Sequence, residues 1–264
     1  MIGLGSYSFF WRQSAKNPKP LSLIEVFTET KNLGINLFQI CDYADLEIMS
    51  NQDLESAAEH AKTLGLTIEL GTKGIEPWRM SKFLGLAKIF DAKLIRSMTY
   101  SSESKPSKQE AIETLKAQIM DFEQAGVVLA LETYELISTK DLVDIVTAVA
   151  SPNLGICLDP ANVVANLENP RECVELTAKY VKNVHAKDFI FSRQEGWVGF
   201  TYGGAEMGTG LHDYSHLLAK ADPRSNGVNE IIEHWLPWQG DIAKTIELEK
   251  RWTQKAIEYI RSTK

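Results

Sequence analysis

The sequence predicts an α/β fold, a single closed (β/α)8 barrel with one domain over residues 1–264, on three observations. Eight short apolar runs alternate with stretches of helical periodicity along the whole chain. A length of 264 residues with 44% apolar side chains suits one eight-unit barrel with a large core. No linker or shift in composition marks a second domain.

The strand candidates are GLGSYSFF (3–10), INLFQICDY (35–43), LTIELGT (66–72), AKLIRSMT (92–99), VVLALETYE (127–135), LGICLDPAN (154–162), VKNVHAKDF (181–189) and VNEIIEHW (228–235). Most are rich in Ile, Leu and Val, as strands buried on both faces require. Between them, stretches such as LSLIEVFTETKNLG and NQDLESAAEHAKTLG carry apolar residues at helical spacing. Two of these stop at Gly34 and Gly65, where a left-handed C-cap is expected. Asp241 is placed to N-cap the last helix. Strict alternation of strand and helix implies parallel strands joined by right-handed crossovers. Segment 190–210, IFSRQEGWVGFTYGGAEMGTG, follows the seventh strand as a long irregular insert, and loops of that length tend to be functional lids.

Four metal-binding residue types end successive apolar runs: Glu132, Asp159, His185 and Glu233. In a parallel barrel the C-terminal strand ends converge on one mouth, so residues distant in sequence meet there. Three carboxylates and one imidazole make a hard, oxygen-rich donor set. It suits one divalent ion, Mn²⁺ first, with Mg²⁺, Co²⁺ or Zn²⁺ as alternatives. A free carboxylate beside two isoleucines, as at Glu233, is costly unless a cation or proton neutralises it. His234 falls on the opposite face of a regular strand and is read as structural.

Composition excludes several classes. A formal net charge of −7 argues against a nucleic-acid partner. No apolar run is long enough to span a bilayer, and the N-terminus lacks a basic signal-peptide start. Cys41, Cys157 and Cys173 are odd in number and not closely spaced, which disfavours a disulfide framework and points to a cytoplasmic enzyme.

These motifs resemble the xylose isomerase-like barrel superfamily of sugar isomerases, sugar 3-epimerases, inosose dehydratases and related lyases. The resemblance covers essentially the whole chain. It rests on Glu132 at the fifth strand, Asp159 in C-L-D-P-A-N, the H-A-K-D block at His185, the G-x-G-x-x-D-Y segment (Gly208, Gly210, Asp213, Tyr214) and I-E-H around Glu233. Position by position, Glu132, Asp159, His185 and Glu233 match the family's metal ligands. The chain departs from the pattern where many members carry D-x-x-H, having Asn162 instead. It also has Lys187 and Asp188 where ketose 3-epimerases carry D-x-D-R, with Arg193 further on. The superfamily's DNA-repair endonucleases need many histidines, whereas this chain has five, with His60, His212 and His216 in helix-like segments.

The resemblance implies a metal-dependent sugar isomerase or epimerase. The metal stabilises an enediolate, and Glu132 and Glu233 move the proton on opposite faces of the substrate carbon. The alternative is a lyase using the same intermediate, an oxo-sugar-acid decarboxylase or an inosose-type dehydratase. What separates them is the set of groups around the substrate. Lys187 is expected to polarise a substrate carboxylate or carbonyl. Gln39 and Glu69, at the ends of the second and third strands, are expected to meet hydroxyls. Arg96 and Arg193 are expected to be partners for a carboxylate or phosphate. Tyr7 at the first strand's end and Trp197 or Phe200 in the lid are expected to cover a sugar or sugar acid. No phosphate-binding loop is evident. The further aromatics, among six Trp in the chain, suggest a homo-oligomer, dimer or tetramer.

Overall fold

The structure is a computed structural model and describes residues 1–263. Eight parallel strands close into a barrel: β1 (Ile2–Gly5), β2 (Leu37–Ile40), β3 (Thr67–Lys73), β4 (Leu94–Met98), β5 (Val128–Glu132), β6 (Leu154–Leu158), β7 (Val181–Ala186) and β10 (Asn229–Ile232). The seam pairs β1 with β10, where Gly3 opposes Ile231. A Cβ on Gly3 would stand 2.7 Å from Leu37 and 2.9 Å from Ile231, so glycine is required where the strands crowd. The predicted single (β/α)8 barrel is the observed fold.

The principal helices are α2 (Leu23–Asn32), α3 (Asn51–Thr63), α4 (Pro77–Phe90), α5 (Lys108–Ala125), α6 (Thr139–Val149), α7 (Pro170–Thr177), α8 (Tyr214–Ala221) and α9 (Ile242–Ser262), after a short α1 (Phe10–Gln13). Ser22 and Ser107 open α2 and α5 with full capping boxes. Asp241 N-caps α9 by accepting from the Lys244 amide, and Gly34 and Gly65 adopt left-handed φ of 71° and 66° after their helices. No helix among the described residues is long and apolar enough to cross a membrane.

Strand alternation sorts side chains into two layers. Phe38, Ile68, Ile95, Leu129, Ile156 and Val184 face outward into the core shared with the helices. The alternate residues face inward. Leu94, Ala130 and Cys157 form a small separate apolar cluster, and Gln39, Glu69, Arg96, Glu132, Asn183 and His185 are buried polar neighbours of it.

Two elements differ from expectation. The first strand stops at Gly5, and Ser6–Phe9 turn as a 3₁₀ segment into α1. Arg12, 3% exposed, explains the turn: its guanidinium bonds Glu249 at 2.9 Å, Glu29 at 2.5 Å and the Ser8 carbonyl at 3.0 Å, which draws the chain back over α9. The insert after His185 is also regular, an antiparallel hairpin of β8 (Asp188–Arg193) and β9 (Phe200–Ala205). Asp188 locks its return, accepting from the amides of Gly208, Gly210 and His212, each at 2.9 Å. A Cβ on Gly210 would lie 2.3 Å from that carboxylate, which accounts for the second glycine of the motif. Asp213 then N-caps α8, so His212 lies before the helix, contrary to the sequence reading, while His60 and His216 are helical.

Candidate active site

Glu132, Asp159, His185 and Glu233 meet at the C-terminal mouth, each no more than 2% exposed. Glu132 and His185 lie on β5 and β7, while Asp159 and Glu233 follow β6 and β10 by one residue. Pro160 cannot continue a ladder, and Thr133 holds the turn by bonding both the Asp159 amide (2.8 Å) and carbonyl (2.9 Å). Asp159 Oδ1 accepts from the Ala161 amide at 3.1 Å, which leaves Oδ2 for the mouth. The Glu233 amide donates to the Ala186 carbonyl at 3.2 Å and keeps that carboxylate beside β7.

His185 Nδ1 is the centre of the cluster. It lies 3.2 Å from Glu132 Oε1, 3.4 Å from Glu233 Oε2 and 3.7 Å from Asp159 Oδ2. Its other nitrogen, Nε2, is 2.8 Å from Gln39 Oε1. Burial alone would depress the imidazole, but its pKa is raised well above the ordinary value. We assign the rise to Glu233, Glu132 and Asp159, because burial pushes the neighbouring Cys157 thiol up to about 11 and leaves it neutral.

Two cations balance the acids. Lys187 Nζ stands 2.6 Å from Asp159 Oδ2 and 3.1 Å from Glu233 Oε2, over the Trp235 ring at 4.4 Å. Burial opposes its charge, yet Asp159 and Glu233 outweigh burial and raise its pKa; Lys187 in turn lowers Asp159 against the same penalty. Arg96, 2% exposed, pairs with Glu132 Oε2, and Asn162 Nδ2 donates to Glu132 Oε1 at 2.9 Å. Both oxygens of Glu132 are therefore engaged. Glu233 Oε1 is buried and accepts no hydrogen bond among the described residues.

The residues fit a divalent ion. Ligand atoms of Glu132, Asp159 and His185 lie within 4.8 Å of one another, and Glu233 faces the same nitrogen. Glu233 Oε1 is a buried carboxylate oxygen with neither a hydrogen-bond donor nor an ion-pair partner among the described residues, a costly state that a cation relieves, while Glu132 Oε2 and Asp159 Oδ2 are met by the cations Arg96 and Lys187. Cys41 sulfur also approaches His185 and Glu233, but its pKa is raised by burial and its thiol sits 2.9 Å from Gln39 Oε1, so the donor set stays hard.

The other expected substrate contacts divide. Tyr7 reaches the rim, its hydroxyl donating to Asp42 Oδ2 at 3.0 Å, with burial and Asp42 raising its pKa. A cleft of about 270 Å³ lined by Tyr7, Phe10, Cys41 and Asp42 adjoins it. A larger cavity of about 790 Å³ lies on the outer wall between α3 and α4 and contains none of the clustered residues. Gln39 and Glu69 do not line the mouth. Glu69 is the third residue of β3 and not its end, and its carboxylate accepts amide bonds from Gln39, Asn183 and Asn229 inside the barrel. Burial raises the Glu69 carboxyl, and these three amides oppose the rise. Arg193 and Trp197 do not join the cluster either. Trp197 is 77% exposed at the hairpin tip, where the Arg193 guanidinium lies over Trp197 and Phe200. Tyr202 takes the covering place expected of Trp197, its ring 5.6 Å from Trp235 and its hydroxyl donating to the Ala161 carbonyl.

Sequence reasoning missed Asp42 as a site residue. Its left-handed φ of 51° aims a carboxylate at Tyr7, at Lys73 (3.3 Å) and at Arg96 (3.8 Å). Its place at the end of the second apolar run was the available signal. Asn162 was read only as a departure from D-x-x-H, although the position still addresses Glu132.

Comparison with known proteins agrees with the fold. The family profile of the xylose isomerase-like TIM barrel matches residues 27–263. The chain is 46% identical over 259 residues to 3-oxo-isoapionate decarboxylase of Pectobacterium atrosepticum, covering 98% of this chain and 94% of that one. It superposes on D-psicose 3-epimerase of Clostridium cellulolyticum, solved with D-tagatose, with a TM-score of 0.72 at 15% identity over 99% of this chain and 98% of that one. A xylose isomerase-like TIM barrel protein of Mycobacterium smegmatis, solved with magnesium, gives 0.70 at 15% identity over 97% and 96%.

Proposed function

Because the chain belongs to the xylose isomerase-like TIM-barrel family, we propose that it is a metal-dependent lyase that decarboxylates a 3-oxo sugar acid. The observation that carries decarboxylation over epimerisation is the restraint of Glu132. Arg96 holds one of its oxygens, and Asn162 holds the other. Epimerisation needs two carboxylates free to exchange protons on opposite faces, whereas decarboxylation needs one proton delivered to one face. The 46% identical decarboxylase supports the same reading.

In a 3-oxo acid the ketone lies beta to the carboxylate. The bond to the carboxylate carbon breaks, its electron pair enters the enolate of the ketone, carbon dioxide leaves, and one proton is taken up at the carbon that lost it. A divalent ion held by Glu132, Asp159, His185 and Glu233 would supply charge to stabilise the enolate oxygen; Mn²⁺ and Mg²⁺ suit these donors. Glu233 Oε1, buried and without a donor, relays a proton from solvent to that carbon. Lys187, kept cationic by Asp159 and Glu233, orients Glu233 and provides positive charge beside the substrate. Tyr202 and Trp235 roof this side of the mouth and limit water.

A panel of 3-oxo sugar acids and neutral ketoses, read for carbon dioxide and for epimer, tests the proposal. Carbon dioxide from the acids with inert ketoses supports it. Epimerised ketose without carbon dioxide from any acid overturns it.

A further inference from the structure

We infer that Gln39 and Glu69 form a positioning relay inside the barrel, one that fixes the hydrogen on His185 Nε2 and so keeps His185 Nδ1 for the ion. The inference rests on the metal centre proposed above and assigns work to residues that touch neither metal nor substrate.

Gln39 and Glu69 are register partners on β2 and β3. Gln39 Oε1 lies 2.8 Å from His185 Nε2, and Gln39 Nε2 lies 3.0 Å from both Glu69 Oε2 and Asn183 Oδ1. The orientation of the Gln39 amide follows from its partners. A flipped amide would set its oxygen against Glu69 Oε2, acceptor against acceptor. Glu69 offers only acceptor oxygens here, because Asn183 Nδ2 at 3.0 Å and Asn229 Nδ2 at 2.6 Å also point at it. With Gln39 so oriented, the nitrogen facing its oxygen must carry hydrogen. The lone pair that binds metal is then at Nδ1, the atom facing three carboxylates.

The arrangement is a carboxylate–histidine–metal triad with one amide inserted between carboxylate and imidazole. A merely space-filling role is a poor account of it. The interior layers of such barrels are usually branched aliphatic residues, whereas this layer buries Gln39, Glu69 and Asn183 at 0%, 3% and 0% exposure. An apolar layer would avoid the desolvation of a buried carboxylate. Asn229 Oδ1, on the far side of Glu69, accepts from the Met1 amine at 2.9 Å, so the polarity of the chain is set from both ends.

The test compares wild type with Gln39→Leu and with the exchange Gln39→Glu/Glu69→Gln, which returns an acceptor to His185. Mn²⁺ affinity is measured by titration calorimetry, folding by thermal unfolding, and the His185 Nε2 proton by nitrogen-15 spectroscopy with and without Zn²⁺. Gln39→Leu should weaken Mn²⁺ by about 10- to 100-fold, and the exchange should recover affinity to within about threefold of wild type. The His185 Nε2 proton should resonate at a hydrogen-bonded position in wild type, metal-free and zinc-loaded, and move upfield in Gln39→Leu. Affinity in Gln39→Leu equal to wild type, or hydrogen on Nδ1 in the zinc-loaded protein, overturns the relay. Absence of Mn²⁺ binding by wild type refutes the metal centre instead, and the metal-free His185 signal then decides the relay alone.

Discussion

Lys187 Nζ lies 2.6 Å from Asp159 Oδ2, an ion pair with 4% and 0% of its side chains exposed. Removing one member of such a pair leaves an uncompensated buried charge, at a cost of about 3 kcal/mol. Lys187→Met should therefore lower the unfolding temperature of the metal-free protein by several degrees, and excess Mn²⁺ should restore part of the loss by binding the freed carboxylates. Turnover should fall by about 10² or more, through the lost support of Glu233. Scanning calorimetry with and without Mn²⁺ checks the first part. An unchanged unfolding temperature would mean the pair contributes nothing.

The two glutamates should behave unequally. Glu233→Gln removes the proton donor and should reduce turnover by about 10² or more, while Mn²⁺ affinity stays within about tenfold, since an amide oxygen can still ligate. Glu132→Gln loses the charge that Arg96 pairs with, so its main effect should be on Mn²⁺ affinity and stability. Kinetics at saturating Mn²⁺ separate the two effects. Equal loss of turnover in both variants, with affinity kept, would favour a two-base epimerase.

His185→Ala should abolish most Mn²⁺ binding and leave the barrel folded, because the side chain lies at the mouth, above the apolar cluster of Leu94, Ala130 and Cys157. The acids that raise the imidazole also make the ion compete with a proton there, so Mn²⁺ affinity should increase with pH across the neutral range. Calorimetric titration at a series of pH values measures both effects. Strong Mn²⁺ binding by the alanine variant would show that the ion sits elsewhere.

Much of this was legible in the sequence, and what was not has physical reasons. The barrel and the four converging residues follow from strand-end position alone, because parallel strands share one mouth. Depth within a strand is harder to read. Glu69 lies mid-strand, and only its register with Gln39 and the hydrogen bond it accepts from Asn183 show that it points into the barrel. Arg96 was expected to await a substrate anion; the structure gives it Glu132, because an inward-facing arginine beside a buried carboxylate pairs with it. Arg193 and Trp197 were placed at the substrate because their glycine-rich segment read as an irregular lid. Pairing of Phe189 with Gly204 and Phe191 with Tyr202 instead makes a hairpin and carries its tip outward.

His234 gives a stability prediction with a definite sign. Burial, then Arg12, pushes it from 6.5 down to about 3, while its Nε2 lies 3.1 Å from Thr253 Oγ1. The unfolded chain takes up this proton below its ordinary pKa and the folded chain does not. The contribution is therefore complete above pH 6.5 and is lost as pH falls from there toward about 3. Urea unfolding should show wild type losing about 2 kcal/mol more than His234→Gln between about pH 7 and pH 4.5. Parallel curves for the two proteins would contradict the assignment.

The central claim is that Glu233 serves a one-sided decarboxylation, and turnover of a 3-oxo sugar acid in heavy water by the metal-loaded protein tests it most directly. The account predicts one carbon dioxide per substrate consumed and one solvent deuteron at the former carboxyl-bearing carbon, on a single face, with recovered substrate free of deuterium that the same acid does not acquire without enzyme. Deuterium entering a neutral ketose at its epimerisable carbon, with no carbon dioxide from the acid, would contradict it.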